Sequence, residues 1–167
     1  MGYAFALAPM DGWMQVLTWG LAGMPFLLLM LAFAGAQGAG LFWLALLVLV
    51  VNGLIWCRWR PTAFVVHEDN RLEIRFPTRR RWIDLQPERQ VRRVTPAELT
   101  QELGRQWPFL GGFGWLWTQR RGWVECYVSR WDGLVLLQQP GRFPLLLTPS
   151  QPEQFVALLR PKETQAA

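Results

Sequence analysis

Charge is what this sequence lacks first. Between Gly12 and Cys57 there is no Asp, Glu, Lys, Arg or His. A surface element of a water-soluble domain carries a polar face, so an uncharged interval of this length excludes an ordinary amphipathic helix or strand there. Cysteine is scarce as well. Cys57 and Cys126 are the only two, too few for a disulfide framework. A single histidine, His67, and no cysteines at ligand spacing argue against a structural or catalytic zinc site. Lysine is almost absent, with Lys162 the one example in a chain of 17 basic residues. That arginine bias fits a GC-rich genome without any functional cause.

What fills the uncharged interval is apolar. A bilayer core about 30 Å thick takes roughly 20 residues of helix to cross, and the interval is long enough for two crossings. Its middle, Gly35-Ala36-Gln37-Gly38-Ala39-Gly40, is small and turn-prone. The pattern predicts a transmembrane hairpin, with one helix over about 13–35 and the other over about 41–57. Trp13, Trp19, Trp56 and Trp59 stand where amphipathic rings mark a headgroup region. Small residues at Gly20, Gly23, Ala32, Ala36 and Gly40 allow close helix approach. An A-x-A-like site occurs at Ala34-Gly35-Ala36, but the apolar run before it is too long for a secretory signal and its one leading charge, Asp11, is negative.

After Cys57 come 17 basic and 11 acidic residues, a net of +6. Arg58 and Arg60 follow the second helix at once, while the turn between the helices is uncharged. By the positive-inside rule both termini are cytoplasmic, and the expected location is the cell inner membrane. The domain reading is a hairpin unit over 1–60, a soluble domain over 61–161 and a disordered tail over 162–167.

Pro61 ends helical periodicity. Short segments follow, beginning with Thr62–His67 and Arg71–Phe76. In the second, Leu72, Ile74 and Phe76 alternate with Arg71, Glu73 and Arg75, a half-buried strand. Arg79–Leu85 reads as a strand and Arg89–Val94 as a weaker one. Pro96–Leu103 reads as a short helix. Phe113–Gln119 and Trp123–Arg130 pair across Arg120-Arg121-Gly122. Asp132-Gly133 is a two-residue hairpin signal, and Pro140-Gly141 turns the chain into Phe143–Leu147. A helix then starts near Ser150, a capping candidate, with Pro152 and Glu153 in its first turn. It presents Phe155, Leu158 and Leu159 on one face. The expectation is about seven strands in meander order, closed at one end by that helix.

The run Gly112-Phe113-Gly114 to Trp117, the Gly122 turn, Tyr127-Val128, Leu134-Val135-Leu136 and Leu145-Leu146-Leu147-Thr148-Pro149-x-x-Pro152-Glu153-x-Phe155 resembles the bacterial pleckstrin-homology-like domains. The likeness covers about 60–160 and is greatest to members anchored by an N-terminal two-helix hairpin. It implies two transmembrane helices, then an all-β barrel of about seven strands with a capping C-terminal helix. Relatives of that fold that bind phosphoinositides place basic residues between their first two strands. Here that loop reads His67-Glu68-Asp69-Asn70, whose acids would repel a phosphate.

Catalytic chemistry finds no footing. His67 lacks a nucleophile at a recognisable spacing and reads as a turn histidine. Gly111-Gly112-Phe113-Gly114 leads into a strand, whereas a phosphate cradle opens a helix. Asp84, Glu88 and Glu125 are scattered. Neither enzyme activity nor a cofactor is expected. Arg58, Arg60, Arg79, Arg80, Arg81, Arg120 and Arg121 are candidate contacts for anionic lipid headgroups, set against the alternative of a solvated charged face. Trp115, Trp117 and Trp123 interleave with arginine but read as core, so nucleic acid is not the expected partner. Two readings stay open. One is a membrane-anchored interaction module that displays a cytoplasmic β-domain to a protein partner, with lipid contact in support. The other is a structural or assembly subunit acting through its hairpin.

Overall fold

The computed structural model describes residues 2–35, 38–95, 97–98, 112–118 and 121–161. Ala36 and Gln37 of the expected turn, most of the Pro96–Leu103 helix, the connection over 108–111, Arg120 and the tail over 162–167 lie outside those residues.

Two long helices dominate the N-terminal part, α1 (Gly12–Ala34) and α2 (Gly38–Arg58). Both are long and apolar enough to cross a membrane. A core helix of a soluble protein passes the same length test, but these two are mostly bare: Phe33 is 84%, Trp19 75% and Met30 72% exposed. Apolar surface of that extent needs a cover. The second helix begins three residues earlier than expected, at Gly38. In an apolar medium every backbone group must be satisfied internally, which favours helix even through Gly38-Ala39-Gly40. A β-carbon at Gly38 would also lie 2.6 Å from the Ala32 carbonyl oxygen, so only glycine lets the helices meet there. Within the hairpin, Asn52 Nδ2 donates to the Leu21 carbonyl at 3.3 Å and to the Val48 carbonyl at 3.0 Å.

The stretch before α1 is not merely a leader to the hairpin. Gly2–Ala6 forms strand β1 and pairs antiparallel with β2 (Ala63–His67), from Gly2 opposite His67 to Ala6 opposite Ala63. The boundary placed at residue 60 therefore divides a sheet. The whole hairpin is the connection between two neighbouring strands, so both its ends leave from one side. β2 continues into β3 (Arg71–Arg75) and β4 (Arg80–Asp84), giving a first sheet in the order β1-β2-β3-β4. The second sheet holds β5 (Gln90–Val94), β6 (Gly112–Thr118), β7 (Gly122–Val128), β8 (Leu134–Gln138) and β9 (Leu145–Leu147). Its order is β5-β8-β9-β7-β6, with β7 and β9 parallel.

These nine strands form two sheets that do not close, in place of the expected barrel of about seven. Meander order fails at Asp132-Gly133. Gly133 turns with φ 64°, yet β7 and β8 do not pair, because β9 slots between them. The other expected hairpins form, β6 with β7 and β8 with β9.

The principal core lies between the sheets. Phe64, Leu72 and Ile74 from the first meet Val135, Leu137 and Leu147 from the second, with Phe155 and Leu159 of α3 (Pro152–Leu159). The Phe155 ring stands edge-on to Phe5 at 5.2 Å and tilted against Phe64 at 6.0 Å. The terminal helix thus plugs one end, but its face is Phe155, Val156 and Leu159; Leu158 points outward. Ser150 does not cap it. The Ser150 amide donates instead to the Ala6 carbonyl at 3.0 Å. At the other terminus Arg89 Nε donates to the Leu159 carbonyl at 2.6 Å, satisfying a helix end.

Candidate functional site

Three places bring polar chemistry together, and the first is the junction of hairpin and sheets. Thr78 Oγ1 donates to the Cys57 carbonyl at 3.0 Å, laying the β3–β4 turn beside the end of α2. On the incoming side, Leu7 N donates to Thr62 O at 3.2 Å and Ala8 N to Thr148 O at 3.0 Å. Asp11 Oδ2 accepts from the Trp131 amide at 2.6 Å. Hairpin and sheets are therefore tied at both helix ends, by the Thr78 hydroxyl at the end of α2 and by backbone groups next to both sheets before α1.

This arrangement sorts the predicted arginines. Arg58, Arg60, Arg79 and Arg80 gather at the hairpin end of the first sheet. Arg60 stacks over the Trp56 ring at 4.2 Å and Arg79 over Phe76 at 4.6 Å. Arg80 stands opposite Arg75 in the β3–β4 register. Arg81 does not join them, because successive strand residues face opposite ways and its side chain enters the space between the sheets. Arg121 lies in the β6–β7 turn, a seven-residue strand away from Phe113 and Gly114, which neighbour the hairpin. At about 3.3 Å per residue the five steps from Phe113 to Thr118 already span roughly 16 Å. The six described arginines are thus not one surface.

The second place is the open mouth between the sheets. Arg81 Nη1 reaches Glu125 Oε1, and donates to the Tyr127 hydroxyl at 3.1 Å. Tyr127 in turn donates to Glu125 Oε1 at 2.6 Å. Burial opposes the Arg81 charge, but the hydrogen bond and charge of Glu125 outweigh it and hold the guanidinium above its ordinary value. Burial first, then the Glu125 hydrogen bond, raises the Tyr127 phenol well above its usual range. A cavity of about 200 Å³ opens beside this triad, lined by Trp115, Gln139, Arg142 and Phe143 among others. Trp115 and Phe143 meet edge to face at 5.1 Å, and Trp117 and Trp123 at 5.4 Å. The three tryptophans, expected in the core, are 47–59% exposed, and Phe143 is 60% exposed. On that face of β7 the successive residues explain it: Tyr127 meets Phe76, Glu125 meets Arg81, and Trp123 lies beyond the edge of the first sheet. Glu125 was legible as sharing a face with Tyr127; its partner on β4, 44 residues away, was not.

The third place is the outer face of the first sheet. Glu73 is only 1% exposed, covered by its neighbours and not by the core. Arg75 binds it through Nε at 2.9 Å and Nη2 at 3.1 Å, His67 Nε2 lies 3.0 Å from Oε2, and Arg80 Nε stands 3.7 Å away. The Arg75 hydrogen bond chiefly holds the carboxylate below the ordinary glutamate range, against the opposing pull of burial. His67, read as a turn residue, ends β2 and leans on Trp82 at 5.0 Å. Of the other acids, Asp84 accepts from Arg71 at 3.1 Å.

Gly114, in the glycine-rich stretch, has φ 118° at the start of β6, and a β-carbon there would touch Trp59 at 3.7 Å. Cys57 is exposed, whereas Cys126 is buried and its thiol is pushed up to about 12 by burial, then by Glu125. Among the described residues no three His, Cys, Asp or Glu side chains gather at metal-binding distance. Compared with protein-family models, curated proteins and solved structures, the chain matches none.

Proposed function

We propose that this chain is a membrane-anchored interaction module, a two-helix anchor carrying a pleckstrin-homology-like β-domain that docks a protein partner at the mouth between its sheets. The observation that carries the reading is the half-exposed row Trp115, Trp117, Trp123 and Phe143 beside the Arg81–Glu125–Tyr127 triad. Rigid aromatic anchors around a few fixed polar groups are the composition of docking surfaces. Among the described residues β6 is the last strand of its sheet, and its outer edge offers backbone donors and acceptors that an extended peptide can use. Arg58, Arg60, Arg79 and Arg80 support the domain against anionic headgroups, each worth up to about 1 kcal/mol at the surface. The excess of arginine after the second helix favours the inner membrane with both termini and the β-domain in the cytoplasm. On this reading the protein does no chemistry and takes no cofactor.

In the pleckstrin-like view the resemblance also gains a new alignment. With β1 as first strand, the loop between the first two strands is the hairpin itself. The connection that meets lipid headgroups in relatives would here enter the lipid outright.

The second reading, an assembly subunit acting through the hairpin, is favoured by the bare apolar flanks of α1 and α2. One experiment separates the two. The complex recovered from gently solubilised membranes is compared for the native chain, for Trp117→Ala with Trp123→Ala, and for a chain whose hairpin is replaced by an unrelated one. The module reading expects loss of the partner in the double substitution and retention after the hairpin exchange. The reverse pattern overturns it.

A further inference from the structure

Along one side of the hairpin runs a groove of about 410 Å³. Thr18 and Leu21 of α1 form one wall and Val48, Asn52 and Trp56 of α2 the other, with Arg60 at its domain end. Its deepest lining residue on α2 is Leu47. From there to Trp56 is nine residues, about 14 Å of helix, close to half of the roughly 30 Å hydrocarbon core. The groove is therefore one leaflet deep, on the side where the β-domain sits. Its walls are predominantly apolar, and the one amide inside them, Asn52, already spends its donors on the Leu21 and Val48 carbonyls.

The domain end is different. Arg60 is half-buried over the Trp56 ring, and among the described residues it has no carboxylate within ion-pair distance. Burial lowers its guanidinium from the ordinary value, which a neighbouring anion would offset. Arg58 and Arg79 close by are exposed and, like Arg60, without an acid partner among the described residues. The acid at the start of α1, Asp11, accepts from the Trp131 amide.

We infer that the groove seats one acyl chain of an anionic phospholipid whose phosphate rests against Arg60. The inference rests on the reading that α1 and α2 cross a bilayer. It goes beyond general attraction to a charged surface: one lipid is held in a defined place, by chain and headgroup together.

The test uses the full-length protein in nanodiscs of equal phosphatidylglycerol and phosphatidylcholine, released and weighed by native mass spectrometry. The expected result is one retained lipid, with phosphatidylglycerol favoured about five-fold, the ratio a single arginine–headgroup contact supports. Arg60→Gln should keep a bound lipid but level the ratio, and Arg60→Lys should restore part of the preference. Val51→Trp, which fills the groove, should strip the lipid of either kind. Equal retention of both lipids by the native protein, or a Val51→Trp variant that retains lipid as the native protein does, overturns the inference while leaving the anchor intact. Failure of the native protein to enter nanodiscs overturns the anchor reading and this inference with it.

Discussion

The two sheets of the β-domain are built for different surroundings. The first buries one face, with Phe64, Leu72, Ile74 and Ile83 inward, and turns a polar face outward through Arg71, Glu73, Arg75, Arg80 and Asp84. The second is apolar on both sides. Val135, Leu137 and Leu147 meet the first sheet, while Val124, Cys126, Leu134, Leu136 and Leu146 form a further buried cluster with Met14 at the start of α1. A one-faced sheet tolerates charge by arranging it in the open. A two-faced sheet can admit a charge only where its cover stops, and that is where Glu125 and its partners sit.

The sharpest way to break this contrast is to place one carboxylate on the outer face of each sheet. Leu136→Glu buries an unpaired charge at a position 4% exposed and should cost several kcal/mol, enough to unfold the domain. Trp82→Glu, at a position 50% exposed, faces Glu73 across the strands but lies one step diagonally from Arg71 and Arg75 and two residues from Arg80, and should cost only about 1 kcal/mol. Thermal melts of both variants in detergent, followed by circular dichroism, check the pair; similar losses would mean that the faces are not distinct.

Next comes the plug shared by the two sheets. Phe155→Ala removes a fully buried ring touching Phe5 and Phe64 and should cost about 3–5 kcal/mol, read as a lowered melting temperature with the hairpin helicity retained. A smaller effect is expected at the bridge between the sheets. Arg81→Met strands Glu125 and should cost about 2 kcal/mol, less than a fully buried pair because Arg81 is 39% exposed. Adding Glu125→Leu should recover most of that loss. A double variant no better than the single would show that the triad contributes more than charge balance.

The smallest effect concerns pH. The folded Glu73 carboxylate is held below its ordinary value by Arg75. Its contribution is therefore complete above the unfolded value of about 4.3 and fades as pH falls through the lower folded one. Glu73→Gln should cost about 1 kcal/mol at neutral pH and flatten the acid limb of stability against pH. An unchanged acid limb would assign that limb to other carboxylates.

The same contrast explains what the residues disclosed. The first sheet was legible because one buried face imposes a period of two, so Leu72, Ile74 and Phe76 announced themselves. The second was legible only as strands. Leu134-Val135-Leu136-Leu137 and Leu145-Leu146-Leu147 are apolar throughout, which leaves no face to fix a neighbour, and the parallel insertion of β9 between β7 and β8 left no mark. The long uncharged interval made the hairpin plain. Gly2–Ala6 stayed hidden because its partner lies beyond both helices, and a short apolar run before an apolar helix reads as more of the same. At the candidate site, the triplet Arg79-Arg80-Arg81 looks like one cluster, although strand alternation already sends Arg81 away from Arg80. The exposed tryptophans were misplaced for a plainer reason: a ring's burial depends on where the opposite sheet ends, and no local pattern encodes an edge.

The pairing of Gly2–Ala6 with Ala63–His67 has a practical sequel. A fragment starting at Pro61 would present β2 as a raw edge, inviting aggregation, and would misreport the behaviour of the intact domain. Because Leu7 N and Thr62 O lie only 3.2 Å apart, the two apolar helices could instead be cut out and the gap closed by a short turn, leaving β1 and β2 as an ordinary β-hairpin. The β-domain of this protein is thus obtained by excision from within, not by truncation from the end.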